Sequence, residues 1–374
     1  MNLEESAEQR QLRESVRRFL ADRAPLPRVR ELMEAADRTD VDVWRQAGRQ
    51  LGLQGIAIPE GYGGAGFSFA EQAIVLTELG GALYSGPYLA SAVLAATALL
   101  AGEDEDARRE LLPGIASGET IATLAFTEDD GSWDLSSIRM AAAKNGSKGP
   151  GWRLDGHKSF VLDGHGAGLI LTVAAADIGL SLFAVDGAAA GLSRRVLPTL
   201  DQTRRLARLE FSDVPARLIG SPGTARGVLD RALDVAAIAL AAEQLGGAQR
   251  ALDMAVGYAK IRHQFGRPIG SFQAIKHRCA DLLLEVESLR SAVSYAAAAV
   301  AAGSTEVPVL ASLLKAYASE VYFHVAAENI QIHGGIGFTW EHDAHLYLKR
   351  AKASELFLGD GSYHRERLAA RIGL

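Results

Sequence analysis

Apolar residues recur every three to four positions through the first third of the chain. In SAEQRQLRESVRRFL they put Leu12, Val16, Phe19 and Leu20 on one stripe, the spacing of an amphipathic helix. The same period predicts helices in VDVWRQAGRQLGL, FAEQAIVLTELGGAL and YLASAVLAATALLAG. A Gly/Pro break, GIAIPEGYGGAGFS, separates the first two of these, and the acidic GEDEDARRELL reads as an exposed turn leading into another helix. From about Glu119 the rhythm shortens. TIATLAFTE, WRLDGHKSFVLDG, GLILTVAAA, GLSLFAVDG and RRLARLEFSDV are short apolar runs between turn residues, which predicts strands. From Ala225 the helical period returns in long Ala-rich runs, broken at FGRPIGSF and again near QIHGG. The expected architecture is α+β and multidomain. It has an N-terminal helical domain (1–118), a middle β-barrel or sandwich (119–218) and a C-terminal antiparallel four-helix bundle (219–374).

Composition narrows the function classes. A chain of 374 residues is long enough for two or three domains and buries a core without disulfide or metal staples. A net charge of −6 argues against a general binder of phosphate backbones, so no nucleic-acid partner is expected. The one cysteine, Cys279, excludes an intrachain disulfide and a cysteine zinc cluster, and it fits a reducing compartment. The stretch Leu89 to Ala101 carries Ser91 and Thr97 and falls short of the ~20 residues that cross a bilayer. The charged N-terminus lacks the apolar centre of a signal peptide. A cytoplasmic protein with no membrane partner is the expectation.

Four motifs are candidates for chemistry. Gly61 to Gly66 fits the GxGxxG string, but Pro59 precedes it and no returning strand follows, so a glycine-rich turn is the better reading. Glu341-His342-Asp343-Ala344-His345 matches no metal-ligand spacing, and no metal site is expected. YAKIRHQFGRPI differs in kind. A helix ends in a turn bearing Arg262, whose planar fork suits phosphate, and Gln264, whose amide donates or accepts. An interhelical hairpin in which the arginine caps the preceding helix is the alternative, and the residues alone leave both open. QIHGGIGF is a second glycine-rich break, where a ligand can approach backbone amides or the chain simply turns.

The order of these motifs resembles the acyl-CoA dehydrogenases, a family of FAD-dependent enzymes with helical, β and helical-bundle domains in that sequence. The resemblance spans essentially the whole chain. It rests on LGLQGIAIPEGYGGAGFS, FTEDDGSWD, GHKSFVLDG, YAKIRHQFGRPIGSFQ and QIHGG. It implies that Thr127, Ser132 and Phe160 face the flavin or the substrate, with Ser362 near the same group. It implies that Arg262, Gln264 and Phe265 contact the FAD of a neighbouring subunit, with Gln273, Gln331, Gly334 and Gly335 at its ADP part. An oligomer follows, built from copies of this chain or with a similar second chain. The implied reaction is α,β-dehydrogenation of an acyl-CoA, with the electron acceptor left open.

Departures from the family pattern set further expectations. The family's base is a Glu followed by Gly-Thr; here Gly359-Asp360-Gly361-Ser362 puts Asp360 in that place. A second family arrangement has Glu-Arg on the long helix, where this chain has Ala236-Ala237. Glu243, seven residues on, lies on the same stripe about 10 Å along the helix. It is an alternative base or a shaper of a bulky pocket, or else half of a buried ion pair. The flavin-facing Trp-x-Thr reads Phe160-Val161-Leu162, without the hydroxyl. The altered base also resembles subunits of heteromeric members acting on sterol side-chain thioesters. A bulky or sterol-derived acyl-CoA is therefore expected, with a weakly active partner subunit as the alternative. A relative that oxidises nitroalkanes through an Asp base marks a third reading.

Overall fold

The computed structural model describes residues 4–35, 39–145 and 151–374. Helices come first: α1 (Ala7–Arg23), α2 (Leu26–Glu34), α3 (Val41–Leu51), α4 (Phe69–Gly81), α5 (Ala96–Ala101) and α6 (Glu105–Ala116). Strands follow: β1 (Ala122–Ala125), β2 (Ala141–Lys144), β3 (Trp152–Leu162), β4 (Leu169–Ala176), β5 (Gly179–Asp186), β6 (Leu192–Val196) and β7 (Leu206–Ile219). The last part holds α7 (Ala225–Ile261), the two-residue strands β8 (His263–Gln264) and β9 (Arg267–Pro268), α8 (Gln273–Ala301), α9 (Val307–His333), α10 (Ala344–Leu356) and α11 (Gly361–Ile372). The N-terminal helical part, the middle β part and the C-terminal helical bundle follow one another as expected.

The chain forms two compact units. One comprises Ala36–Phe67 and Ser85–Ala236, the other Met1–Ala35, Ser68–Tyr84 and Ala237–Leu374. In the first unit the strand pairings close a ring: β4 to β2, β2 to β3, β3 to β7, β7 to β5, and β5 back to β4. Closure removes the sheet edge that would otherwise invite pairing. β1 adds in parallel to β4 and β6 antiparallel to β7. The barrel is filled by inward residues of successive strands, among them Leu154, Ile170, Phe183, Leu209 and Phe211. Ala207, Leu209 and Phe211 are buried at alternate positions of β7, the period of a half-buried strand.

In the second unit, capping boxes start α1 (Ser6 with Gln9) and α4 (Ser68 with Glu71). α4 lies against α7 at a crossing of glycines. A Cβ on Gly80 would stand 1.9 Å from the Glu243 carbonyl, and one on Gly246 1.8 Å from the Thr77 carbonyl, so only glycine allows the two backbones this close.

Several elements lie outside the hydrophobic pattern. β2 (AAAK) and β6 (LSRRV) are too short and too polar or alanine-rich to register. α2 buries only Val29 and Met33. α11 (GSYHRERLAARI) buries only His364, so it carries no apolar stripe to read. The apolar run predicted as one helix opens as a π-helical stretch, Leu89–Ala95, before α5.

Candidate functional site

In the β unit, Thr127 and Ser132 lie on the segment leaving β1, and Phe160 lies on β3. Ser159 N–H donates to the Thr127 carbonyl at 2.9 Å, and the Thr127 hydroxyl donates back to the Ser159 carbonyl. The register of β3 against β7 shifts between Lys158 and Val161, and Phe160 takes φ 58°. Such a bulge re-aims a side chain. Phe160 is 38% exposed between buried Ser159 and Val161. A bulky residue in the left-handed region is uncommon, and the strand holds this one partly exposed. Gly131 lies beside it, its notional Cβ 3.6 Å from the ring. The Ser132 oxygen accepts from Asp134 N–H at 3.1 Å, which leaves its own O–H to donate.

Beneath this segment sits Lys158, which is fully buried. Its Nζ donates to Glu128 at 2.9 Å and to the Phe126 carbonyl at 3.2 Å. Glu128 also accepts the N–H groups of Met140 (2.8 Å) and Arg139 (3.0 Å), which ties both ends of the 128–140 loop to one carboxylate. Burial pushes the Lys158 ammonium down to about 8 in spite of its partner. Burial alone would push Glu128 up, but Lys158 and the two amides outweigh it and hold the carboxyl below its ordinary value. The motif reading passes over this pair. Its signal is an ionisable residue at a buried position of a strand, two places before Phe160.

The second set gathers at one end of the helical unit. β8 and β9 form a hairpin whose two loop residues, Phe265 (φ 52°) and Gly266 (φ 77°), both have the positive φ of a type I′ turn. The turn throws Phe265 outward, 91% exposed, while Arg267 stacks on Phe272 at 4.0 Å. Arg262 and Gln264 are exposed on the same hairpin, and Gln273 opens α8 beside it. Tyr258 stacks on His333 at 4.3 Å, and Ile332 packs with Ala255 and Ala259. The Gln331–Gly335 turn and the hairpin are thereby brought to one end of the unit. Gly334 takes φ 64°, and no atom lies within 4 Å of a Cβ at Gly334 or Gly335.

The third set is on the turn between α10 and α11. Asp360 is the N-cap of α11: its Oδ1 accepts from Tyr363 N–H at 2.8 Å, and the residue is exposed. Ser362 is exposed in the first turn of α11. The turn is strained at Leu358, a non-glycine at φ 63°, and Gly359 follows at φ 99°. Two buried side chains hold it. Lys315 Nζ donates to the Gly359 carbonyl at 2.9 Å, and His364 Nε2 donates to the Leu358 carbonyl at 2.9 Å. Glu243 lies elsewhere on α7, where it accepts from Arg350 at 2.6 Å with both side chains nearly enclosed. Arg350 escapes sequence reading because it sits among the lysines and arginines of LYLKRAK.

These residues fit FAD. Among the described residues Arg262 makes no side-chain hydrogen bond or ion pair, and Gly334 and Gly335 present backbone to open space. A free guanidinium and uncovered backbone are donors suited to a pyrophosphate, and the exposed Phe160 and Phe265 offer apolar surface to flat rings.

Three family profiles match the chain: the acyl-CoA dehydrogenase N-terminal domain over residues 6–119, the middle domain over 123–214 and the C-terminal domain over 226–373. Acyl-CoA dehydrogenase IpdE2 of Mycobacterium tuberculosis is 38% identical over 94% of this chain and 93% of its own length. The solved structure described as the Tcur3481-Tcur3483 steroid ACAD is 34% identical, covers 98% of each chain and has a TM-score of 0.88. The ChsE4-ChsE5 complex from Mycobacterium tuberculosis is 30% identical, with a TM-score of 0.90 over 100% of this chain and 99% of the other. The chain belongs to the acyl-CoA dehydrogenase family, FAD-dependent oxidoreductases of acyl-CoA thioesters. No described helix is long and apolar enough to cross a membrane.

Proposed function

We propose that this chain dehydrogenates a bulky, steroid-derived acyl-CoA between its α and β carbons, with Asp360 as the base. The observation that carries the substrate class is the near-complete overlap with a steroid ACAD at 34% identity. Bound FAD supplies the acceptor for the hydride from the β-carbon. Asp360 takes the α-proton; its cap bond to Tyr363 leaves Oδ2 to receive it. The proton is weakly acidic, so donors must meet the thioester oxygen as charge develops. Thr127, Ser132, Phe160 and Ser362 line the flavin side. Arg262, Gln264, Phe265, Gln273, Gln331, Gly334 and Gly335 hold the cofactor of a neighbouring chain, which makes the working unit an oligomer. Glu243 serves through its ion pair with Arg350 rather than as the base. Domain limits of 1–118, 119–218 and 219–374 and a cytoplasmic location complete this reading.

The test is anaerobic mixing of the purified yellow protein with cholanoyl-CoA, a steroid side-chain thioester, and with octanoyl-CoA. Faster bleaching by the steroid thioester supports the assignment, and bleaching by octanoyl-CoA alone removes it. Asp360→Asn keeps the shape and the cap acceptor but loses the proton acceptor, so flavin reduction should fall by at least ~10²-fold with FAD retained. Unchanged reduction in Asp360→Asn with collapse in Glu243→Gln moves the role to Glu243. A chain that holds FAD yet bleaches only after a similar second chain is added is a partner subunit.

A further inference from the structure

We infer that Lys315 is the positioning residue for the base: it sets the reach of Asp360 by clamping the carbonyl next to it. This rests on the assignment of Asp360 as base. Lys315 lies on α9 and is 0% exposed. An ammonium has three N–H groups, and three acceptors converge on this one: the Ser319 hydroxyl at 3.0 Å, the Glu355 carbonyl at 3.1 Å and the Gly359 carbonyl at 2.9 Å. The geometry ties three elements together. Ser319 lies one turn along α9, where it also receives Gln244 N–H from α7 at 3.2 Å. Glu355 is in the last turn of α10, and Gly359 directly precedes Asp360.

The Gly359 carbonyl needs such an anchor. Leu358 (φ 63°) is a bulky residue in the left-handed region, which persists only where its surroundings over-determine it, and Gly359 (φ 99°) beside it takes a positive φ freely and so supplies no restraint of its own. Lys315 holds it at Gly359, His364 at Leu358 and the α11 cap at Asp360. The aspartate is one methylene shorter than glutamate, so its carboxylate follows the backbone more closely. A misplacement of about 1 Å can cost on the order of 10²-fold in rate. A charge-assisted bond from a buried ammonium to the adjacent carbonyl fixes that backbone.

The experiment compares the holoenzyme with Lys315→Met, Lys315→Gln and Asp360→Asn. The readouts are flavin reduction at saturating thioester, the half-saturating concentration, FAD content and amide exchange at Tyr363. The thioester is whichever of cholanoyl-CoA and octanoyl-CoA bleaches the wild type faster. Lys315→Met should slow reduction by about 30-fold or more, with half-saturation within about twofold and FAD content unchanged. Its Tyr363 amide, which reports the Asp360 cap, should exchange faster, and Lys315→Gln, which keeps an N–H for Gly359, should recover most of both. If Lys315→Met behaves as wild type while Asp360→Asn is inactive, the base stands and the inference is overturned. Full activity in Asp360→Asn removes both. Equal losses of FAD, half-saturation and rate in Lys315→Gln would show general loosening and also overturn the inference. Should Lys315→Met not fold, Ser319→Ala withdraws one acceptor. A fall in reduction of about threefold at constant half-saturation is expected there, and wild-type kinetics would overturn the inference.

Discussion

Among the described residues two lysines are fully buried, and each lies under a loop that carries candidate site residues. Lys158, in the β unit, meets a carboxylate and one carbonyl; Lys315, in the helical unit, meets a hydroxyl and two carbonyls. The arrangements fail differently. The charges of an ion pair can be removed together, since both are on side chains, although here the Phe126 carbonyl and the Arg139 and Met140 amides would lose their partners. Two of the three acceptors of Lys315 belong to the backbone, and no substitution removes them. The β loop is therefore secured chiefly by a charge pair, and the α10–α11 turn by a donor to backbone oxygens.

The largest effect expected is at Lys158. Lys158→Met should lower unfolding free energy by about 3–5 kcal/mol, because Glu128 is left as an uncompensated buried charge. Adding Glu128→Leu removes the unpaired charge and should recover part of that, short of the wild type because the Phe126 carbonyl and the Arg139 and Met140 amides stay unpartnered, and denaturant titration of the two variants measures it. A double variant no better than the single would erase the contrast.

His364 comes next. Burial pushes its imidazole from 6.5 down to about 4, with Lys315, Arg367 and Arg371 acting in the same direction. The unfolded chain then binds the proton at a pH where the folded one does not. The stabilisation is complete above 6.5 and is lost as pH falls towards 4, about 3 kcal/mol in all. Melting temperature at pH 7 and at pH 5 should show the drop, and His364→Gln, which keeps an N–H for Leu358, should flatten it. An unchanged acid limb in that variant would place the pH dependence on groups other than His364.

At Lys315 the expected stability loss is about 1–3 kcal/mol, the cost of orphaned buried carbonyls. The sharper outcome is that no second side-chain change restores it: Lys315→Met with Ser319→Ala should be no more stable than Lys315→Met alone. Recovery in that double variant would put the two lysines on the same footing. The smallest effect is at Phe265, which is exposed and in the left-handed region. Phe265→Asn should leave stability unchanged or raise it by about 0.5–1 kcal/mol while weakening FAD retention, read from the flavin absorbance after dilution and filtration.

The order of helical, β and helical parts was legible because long amphipathic periods and short apolar runs record burial directly. The motifs that mark the family were legible because they sit at breaks, where Gly, Pro and unpaired polar residues stand out. The partners of those motifs were not. Lys158, Lys315 and Arg350 are charged residues whose burial depends on strands and helices distant in the chain, and a charge in a sequence reads first as surface. α11 was hidden for the same reason, since its one buried residue is a histidine. Glu243 was visible as a carboxylate in an apolar stripe, but only the fold supplies Arg350, 107 residues away.

The glycine crossing of α4 and α7 has a consequence for how such a protein can drift. Most helix contacts are made by side chains, so a change on one helix can be absorbed by a compensating change on the other. Where Gly80 meets the Glu243 carbonyl and Gly246 meets the Thr77 carbonyl, no side chain exists to trade. A library randomising both helices under selection for folding should return glycine at these two positions whatever it accepts around them. The spacing of α4 and α7 is thus inherited as a fixed length, and any adaptation to new substrates has to be written in the residues on either side.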